Sequence, residues 1–226
     1  MDDSVVTHAP LFPLPHGALL PGELLPLHVF EPRYRALLEA VRRGDRIVAI
    51  ATLLPGWEAD YHGRPPVAPV VGLGRLVKDR PNPDGTSDIV LHGLLRGEIA
   101  GEIAGRSYRV ARVIVRSEDD LHPAETYRLR RSLLTGLFER LRTSRLRYDL
   151  TATFDVGTLA DRIASALDLQ PEQRVAVLQA LPPEARVQLV LELLADRAHR
   201  KRLLEIIPSL HAFSLSLDPP RREPEA

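Results

Sequence analysis

The chain has 226 residues, with 30 Lys+Arg balanced by 30 Asp+Glu, and no cysteine. That length holds one large domain or two small ones around a real core. Zero net charge excludes a polycation that coats nucleic acid, and the lack of cysteine excludes disulfides, thiolate metal sites and a cysteine nucleophile.

Met1-Asp2-Asp3-Ser4 is acidic and no apolar stretch follows it, so no signal peptide is expected. Punctuation then divides the sequence. Of 14 glycines, 12 precede residue 120, which predicts strands and turns first and helices after. The strand candidates are Leu24–Phe30, Arg46–Leu54, Val70–Lys78, Ser87–Leu95 and Tyr108–Arg116, short and rich in β-branched residues. A helix interrupts them. Glu31-Pro32 starts it, Tyr34, Leu37, Leu38 and Val41 form its apolar stripe, and Gly44 ends it. Pro83-Asp84-Gly85-Thr86 reads as a hairpin turn. The apolar run Ile47 to Leu54 is far too short to span a bilayer, so the chain is expected in the cytoplasm, away from membranes.

Beyond Asp120 the period becomes helical. Three stripes stand out: Leu134, Leu137, Phe138 and Leu141; Leu159, Ile163, Ala166 and Leu167; Val187, Val190, Leu191 and Leu194. Pro123, Pro171 and Pro182-Pro183 mark the helix starts. Asp119, Asp120 and Pro123 mark the boundary. The expected organisation is a β-rich part over 1–118, a helical part over 119–207 and a disordered Pro- and charge-rich tail over 208–226.

Motifs for chemistry are few. There is no Gly-x4-Gly-Lys-[Ser/Thr] for a nucleotide, and Gly72-Leu73-Gly74 lacks the third glycine of a dinucleotide fingerprint. The eight histidines never fall at metal-ligand spacing, so no metal and no cofactor are expected. Asp119-Asp120 has no partner for acid–base chemistry. Gly93, Gly97, Gly101 and Gly105 recur every four residues, as a membrane packing seam would. Arg96, Glu98, Glu102 and Arg106 interrupt them, which points to a glycine-rich strand and turn. Arg128, Arg131 and Arg142 fall within about 60° of helical arc, a candidate nucleic-acid face without the aromatic interleaving that single strands favour.

Leu11-Phe12-Pro13-Leu14, Leu20-Pro21-Gly22 and Leu25-Pro26-Leu27-His28-Val29-Phe30-Glu31-Pro32-Arg33-Tyr34 closely resemble the opening of the Lon protease N-terminal domain family. Val71-Gly72-Leu73-Gly74-Arg75-Leu76, Pro83-Asp84-Gly85, Leu91-His92-Gly93-Leu94-Leu95-Arg96 and Leu159-Ala160-Asp161-Arg162-Ile163-Ala164 are similar to later parts of it. The resemblance implies an α+β fold: a PUA-like β-barrel with one inserted helix, followed by an α-helical bundle subdomain. It also implies a bacterial module that captures protein substrates for an ATPase and a Ser–Lys peptidase, neither of which is in this sequence. Asp84-Gly85-Thr86-Ser87 only echoes the peptidase motif, so Ser87 is not expected to be a nucleophile and no catalytic residue is assigned.

Two functions follow as expectations. In the first, the chain is no enzyme and binds an unfolded polypeptide or a specific protein partner, with self-association left open. The candidate contacts are Phe30, Glu31, Arg33 and Tyr34 at the strand–helix junction and Trp57 in the loop after Leu54-Pro55-Gly56. In the alternative, a PUA-like barrel and the Arg128, Arg131 and Arg142 face bind RNA, an analogy at the level of fold alone.

Overall fold

A computed structural model of the chain describes residues 5–115, 121–141 and 155–195. In chain order the elements are β1 (Val5–Leu14), β2 (Leu24–Val29), α1 (Pro32–Arg43), β3 (Ile47–Thr52), a one-turn 3₁₀ helix (Trp57–Asp60), β4 (Val70–Pro81), β5 (Ser87–Ile103) and β6 (Arg109–Val115). The helices α2 (Pro123–Leu141), α3 (Val156–Ala166), α4 (Pro171–Gln179) and α5 (Pro183–Ala195) follow. The fold is mixed α+β, with a six-stranded sheet and five α-helices among the described residues.

The strands pair in the order β2-β5-β4-β3-β1-β6, and β5 also pairs β6. Strand β5 is 17 residues long and serves two neighbours on one side. Its first half, Ser87–His92, carries β2; its second half, Gly97–Ile103, carries β6. The pairings β5-β4-β3-β1-β6 therefore return to β5, and β2 lies outside that ring with a strand neighbour on one side only among the described residues. Pro26 suits such a strand, since proline has no N–H to give to a second neighbour.

The sequence did not announce β1, because Pro10 and Pro13 argue against a strand with neighbours on both sides. Pairing resolves the conflict. Residues 5–11 face β6 and residues 11–14 face β3, so Pro10 and Pro13 each have one strand partner.

Helix α1 forms where the stripe places it, with Tyr34, Leu37, Leu38 and Val41 buried and the Gly44 N–H closing on the Val41 carbonyl. That face packs on Phe12, Val48, Ile50, Leu76, Ile89 and Leu91. Arg42 ties the helix to the sheet through two bonds to Asp79, each 2.7 Å, and one of 3.0 Å to the Ser87 hydroxyl. The Arg42 bonds, opposed by burial, hold the Asp79 carboxyl below its usual value. Because its folded value is depressed, the stability it contributes is complete above the unfolded value of about 3.9 and is lost as pH falls through the folded one. Urea unfolding of the wild type and Asp79→Asn at about pH 5 and about pH 3 should therefore show the gap between them closing on acidification.

Segment Ala18–Leu20 crosses the sheet so closely that only glycine fits beneath it. A Cβ on Gly72 would lie 2.0 Å from the Leu19 carbonyl oxygen, and one on Gly93 2.1 Å from that of Leu20. Bonds of 2.8 Å from Gly22 N to Gly93 O and from Gly93 N to Glu23 O hold the crossing down.

The crossing delivers Ala18 and Leu20 to a second core shared with the helices. There they and Val70 join Leu129, Leu133 and Leu137 of α2, Leu159 and Ile163 of α3, and Val187, Val190 and Leu194 of α5. The α3 stripe is buried as expected. On α2 the buried line runs through Leu129, Leu133 and Leu137, while Leu134 packs at its margin; the side chains of Phe138 and Leu141 lie outside the described residues. Polar ties reinforce the contact. The Gln179 amide accepts from Val70 N at 3.2 Å and donates to Val70 O at 2.9 Å, and Arg174 pairs with Glu23. Arg96 of β5, Asp161 of α3 and Arg186 of α5 form a buried ionic cluster, with N···O distances of 2.6 and 3.2 Å to the carboxylate. Asp119, Asp120, Arg142 and the tail 208–226 fall outside the described residues.

Candidate functional site

Glu31 is the N-cap of α1, and Pro32 leaves Arg33 and Tyr34 in the first turn. Helical spacing turns Tyr34 inward, where its ring stacks on Phe12 at 4.1 Å between centroids and its hydroxyl donates to the Pro13 carbonyl at 3.3 Å. Burial pushes the Tyr34 phenol up to about 12, against the pull of Arg33, so it stays a neutral donor at any ordinary pH.

Arg33 turns sideways and is held through its Nε and Nη1. Its Nε donates to Glu31 at 3.0 Å and its Nη1 to the Tyr61 carbonyl at 2.7 Å. Its guanidinium carbon lies 4.7 Å from the Tyr34 ring centre and 4.5 Å from that of Tyr61. Burial works against the Arg33 charge, but Tyr34, Glu31 and Tyr61 more than offset it and its pKa rises. The Tyr61 hydroxyl donates to the other Glu31 oxygen. Burial, with that bond second, raises the Tyr61 pKa as well.

Trp57 opens the 3₁₀ helix after Gly56, whose φ of 86° turns the chain. The indole meets Tyr61 edge-on at 5.3 Å and is half-buried. The residues expected to form a loose loop therefore include an ordered turn whose end locks onto α1.

Beside this turn is a cavity of about 230 Å³. Leu11, Pro13 and Leu53 are its apolar part; Arg33, Tyr34, Tyr61, His62, Arg64, Arg106, Ser107, Tyr108 and Arg109 supply its polar lining. Arg109 is fixed by the Pro65 carbonyl at 2.7 Å and by Glu102 at 2.9 and 2.5 Å. Cations and phenols around an apolar recess can bind a ligand. Among the described residues there is no cluster of acidic and histidine side chains able to hold a metal, and no helix is long and apolar enough to cross a membrane.

A family model, the substrate-binding domain of ATP-dependent protease La (Lon), matches residues 8–196. The chain belongs to the Lon substrate-binding domain family. Lon protease 4 of Sorangium cellulosum is 33% identical over an alignment of 199 positions that covers 83% of this chain and 23% of that protein. Lon protease of Desulfosudis oleivorans is 25% identical over 83% of this chain and 24% of its own length. This chain thus spans about a quarter of the curated Lon relatives it matches. The crystal structure of a Lon N-terminal domain protein from Xanthomonas campestris aligns with a TM-score of 0.58 at 26% identity, covering 82% of this chain and 98% of that one. The N-terminal domain of Mycobacterium avium complex Lon protease aligns at 0.64 and 17% identity over 84% and 100%, a likeness of fold.

Of the candidate contacts in this Lon-family chain, Glu31, Arg33, Tyr34 and Trp57 meet in one cluster through Tyr61. Arg33 and Tyr34 line the cavity, Glu31 and Trp57 touch its lining residue Tyr61 without lining it, and Phe30 stands apart, 60% exposed and stacked on His28 at 6.0 Å. Arg128 and Arg131 are exposed on α2, and Arg128 bonds Glu125 one turn earlier. Sequence reasoning missed Tyr61, Arg64, Tyr108 and Arg109. They reach the cavity from the segment after the 3₁₀ helix and from the start of β6, and nothing in their local spacing marks them.

Proposed function

We propose that this chain binds polypeptide without chemistry of its own, at the cavity beside the start of α1. On this reading the closed ring of strands is a PUA-like barrel over residues 1–118, α1 is its inserted helix, and residues 119–207 are a helical subdomain that supports it. The partner is an unfolded polypeptide or a specific protein. The observation that carries the proposal is the apolar recess walled by arginines and tyrosines, of which Arg33, Tyr34 and Arg109 are held in place. Such walls lose little freedom on binding, and membership of a substrate-binding family supports the direction.

Trp57 and Tyr61 supply the test. Their edge-on contact is worth about 0.5–1.5 kcal/mol, against about 3–5 kcal/mol for truncating a fully buried aromatic. Trp57→Ala and Tyr61→Ala should therefore weaken capture of a fluorescein-labelled, permanently unfolded polypeptide by about fivefold or more and lower Tm only slightly. Unchanged affinity together with a large drop in Tm would make both residues structural and remove the cavity from the proposal. An RNA oligonucleotide held more tightly than polypeptide, and released by charge removal at Arg128 and Arg131, would favour the nucleic-acid alternative.

A further inference from the structure

We infer that the cavity takes the free C-terminal carboxylate of a polypeptide together with the apolar side chain of that last residue. The inference rests on the polypeptide-binding reading and narrows it to one end of the chain bound.

Size comes first. A volume of about 230 Å³ is smaller than the roughly 300–1,000 Å³ of pockets for drug-sized ligands. It admits about one residue and excludes a helix or a folded loop. An internal segment would have to enter and leave; a chain end has only to enter.

Charge comes second. Four arginines line the cavity and no carboxylate does. Three acids, Glu31, Asp60 and Glu102, stand behind the lining against its four arginines, and Asp60 accepts from the Arg64 backbone N–H at 3.1 Å. Glu31 holds Arg33 and Tyr61, and Glu102 holds Arg109. Arg64 shares Glu102 with Arg109 at a looser 3.5 Å and keeps 47% of its side chain exposed. Arg106 meets no carboxylate among the described residues; it donates to the Tyr108 hydroxyl at 3.3 Å. The mouth thus carries cationic charge in excess, on two side chains able to swing toward a ligand. A positively charged N-terminus is repelled there.

Chemistry decides between anions. Leu11, Pro13 and Leu53 ask for an apolar group within a bond or two of the charge. The last residue of a polypeptide has that construction, because its side chain and its carboxylate leave the same Cα. A phosphate brings no apolar group, and an Asp or Glu side chain brings charge without one. The guanidinium fork matches the two carboxylate oxygens.

The test uses the intact chain and an N-terminally fluorescein-labelled hexapeptide, Gly-Ser-Gly-Ser-Gly-Leu, as free acid and as C-terminal amide, read by anisotropy. The free acid should bind about tenfold or more tightly than the amide, and Arg64→Gln/Arg106→Gln should erase that preference. Glycine in place of the final leucine should weaken the acid as well. Equal binding of acid and amide, or a preference that survives the double substitution, overturns the inference. If neither hexapeptide binds while a long unfolded polypeptide still does, the terminal site falls and the capture reading stands. If the long polypeptide is not held either, both fall.

Discussion

Asp161→Ala is expected to cost about 3–5 kcal/mol of stability, the penalty for breaking a buried ionic group from one side. The Asp161 carboxylate is fully buried between Arg96 and Arg186, whose side chains are 1% and 0% exposed. The guanidiniums keep other acceptors: Arg186 donates to the Ala180 and Leu181 carbonyls at 3.0 and 2.9 Å. Carbonyls satisfy N–H groups but supply only partial charge. Without Asp161 both arginines would lose the carboxylate they share where water is excluded. Asp161→Asn keeps the shape and removes the charge, so it should fall between wild type and alanine. Urea unfolding with a constant m-value measures both; an unchanged midpoint for the alanine variant would mean that the arginines reach water.

Gly72→Val should cost about 3 kcal/mol, near the upper end of what overpacking does. The obstacle is backbone, not a side chain that can rotate: the Leu19 oxygen stands 2.0 Å from the new Cβ. Lifting the crossing would strip Leu19 and Leu20, both at 0% exposure, from their two cores and strain the bonds at Gly93. Alanine already collides, so shortening the substitution brings little relief. Circular dichroism followed through a urea titration is the check, and a loss under about half a kcal/mol would show that the crossing yields freely.

Local signals carried much of the fold. Helix α1 is legible because a proline start, a four-residue apolar stripe and a glycine stop agree over twelve positions. The β4–β5 turn is legible because Gly85, at φ 82°, follows Asp84, whose carboxylate accepts from Thr86 N at 2.9 Å. Strand β1 was illegible because its prolines speak against a strand until the staggered neighbours are known. Strand β5 was read too short, since Gly97 and Gly101 look like turn residues when they lie in ladders with β4 and β6.

The site was legible in part for the same reason. Glu31, Arg33 and Tyr34 share one turn of helix, so a single motif names all three. Tyr61 and Arg109 join them only when the chain closes, 28 residues after Arg33 for the Tyr61 carbonyl and 44 residues after Pro65 for Arg109. The buried cluster makes the point from the other side. Arg96 and Asp161 each end or centre a stretch that resembles the family, 65 residues apart, and nothing in either stretch says that they touch.

The chain has a single tryptophan, and it rests against the tyrosine that carries the cavity wall. Tyr61 is joined through Glu31 to Arg33, so the four side chains form one relay from the recess to the indole. Indole emission responds to the polarity and motion of its surroundings, and no second tryptophan dilutes the signal. The cavity therefore comes with its own optical reporter, and occupancy can be followed on the unlabelled, unsubstituted protein.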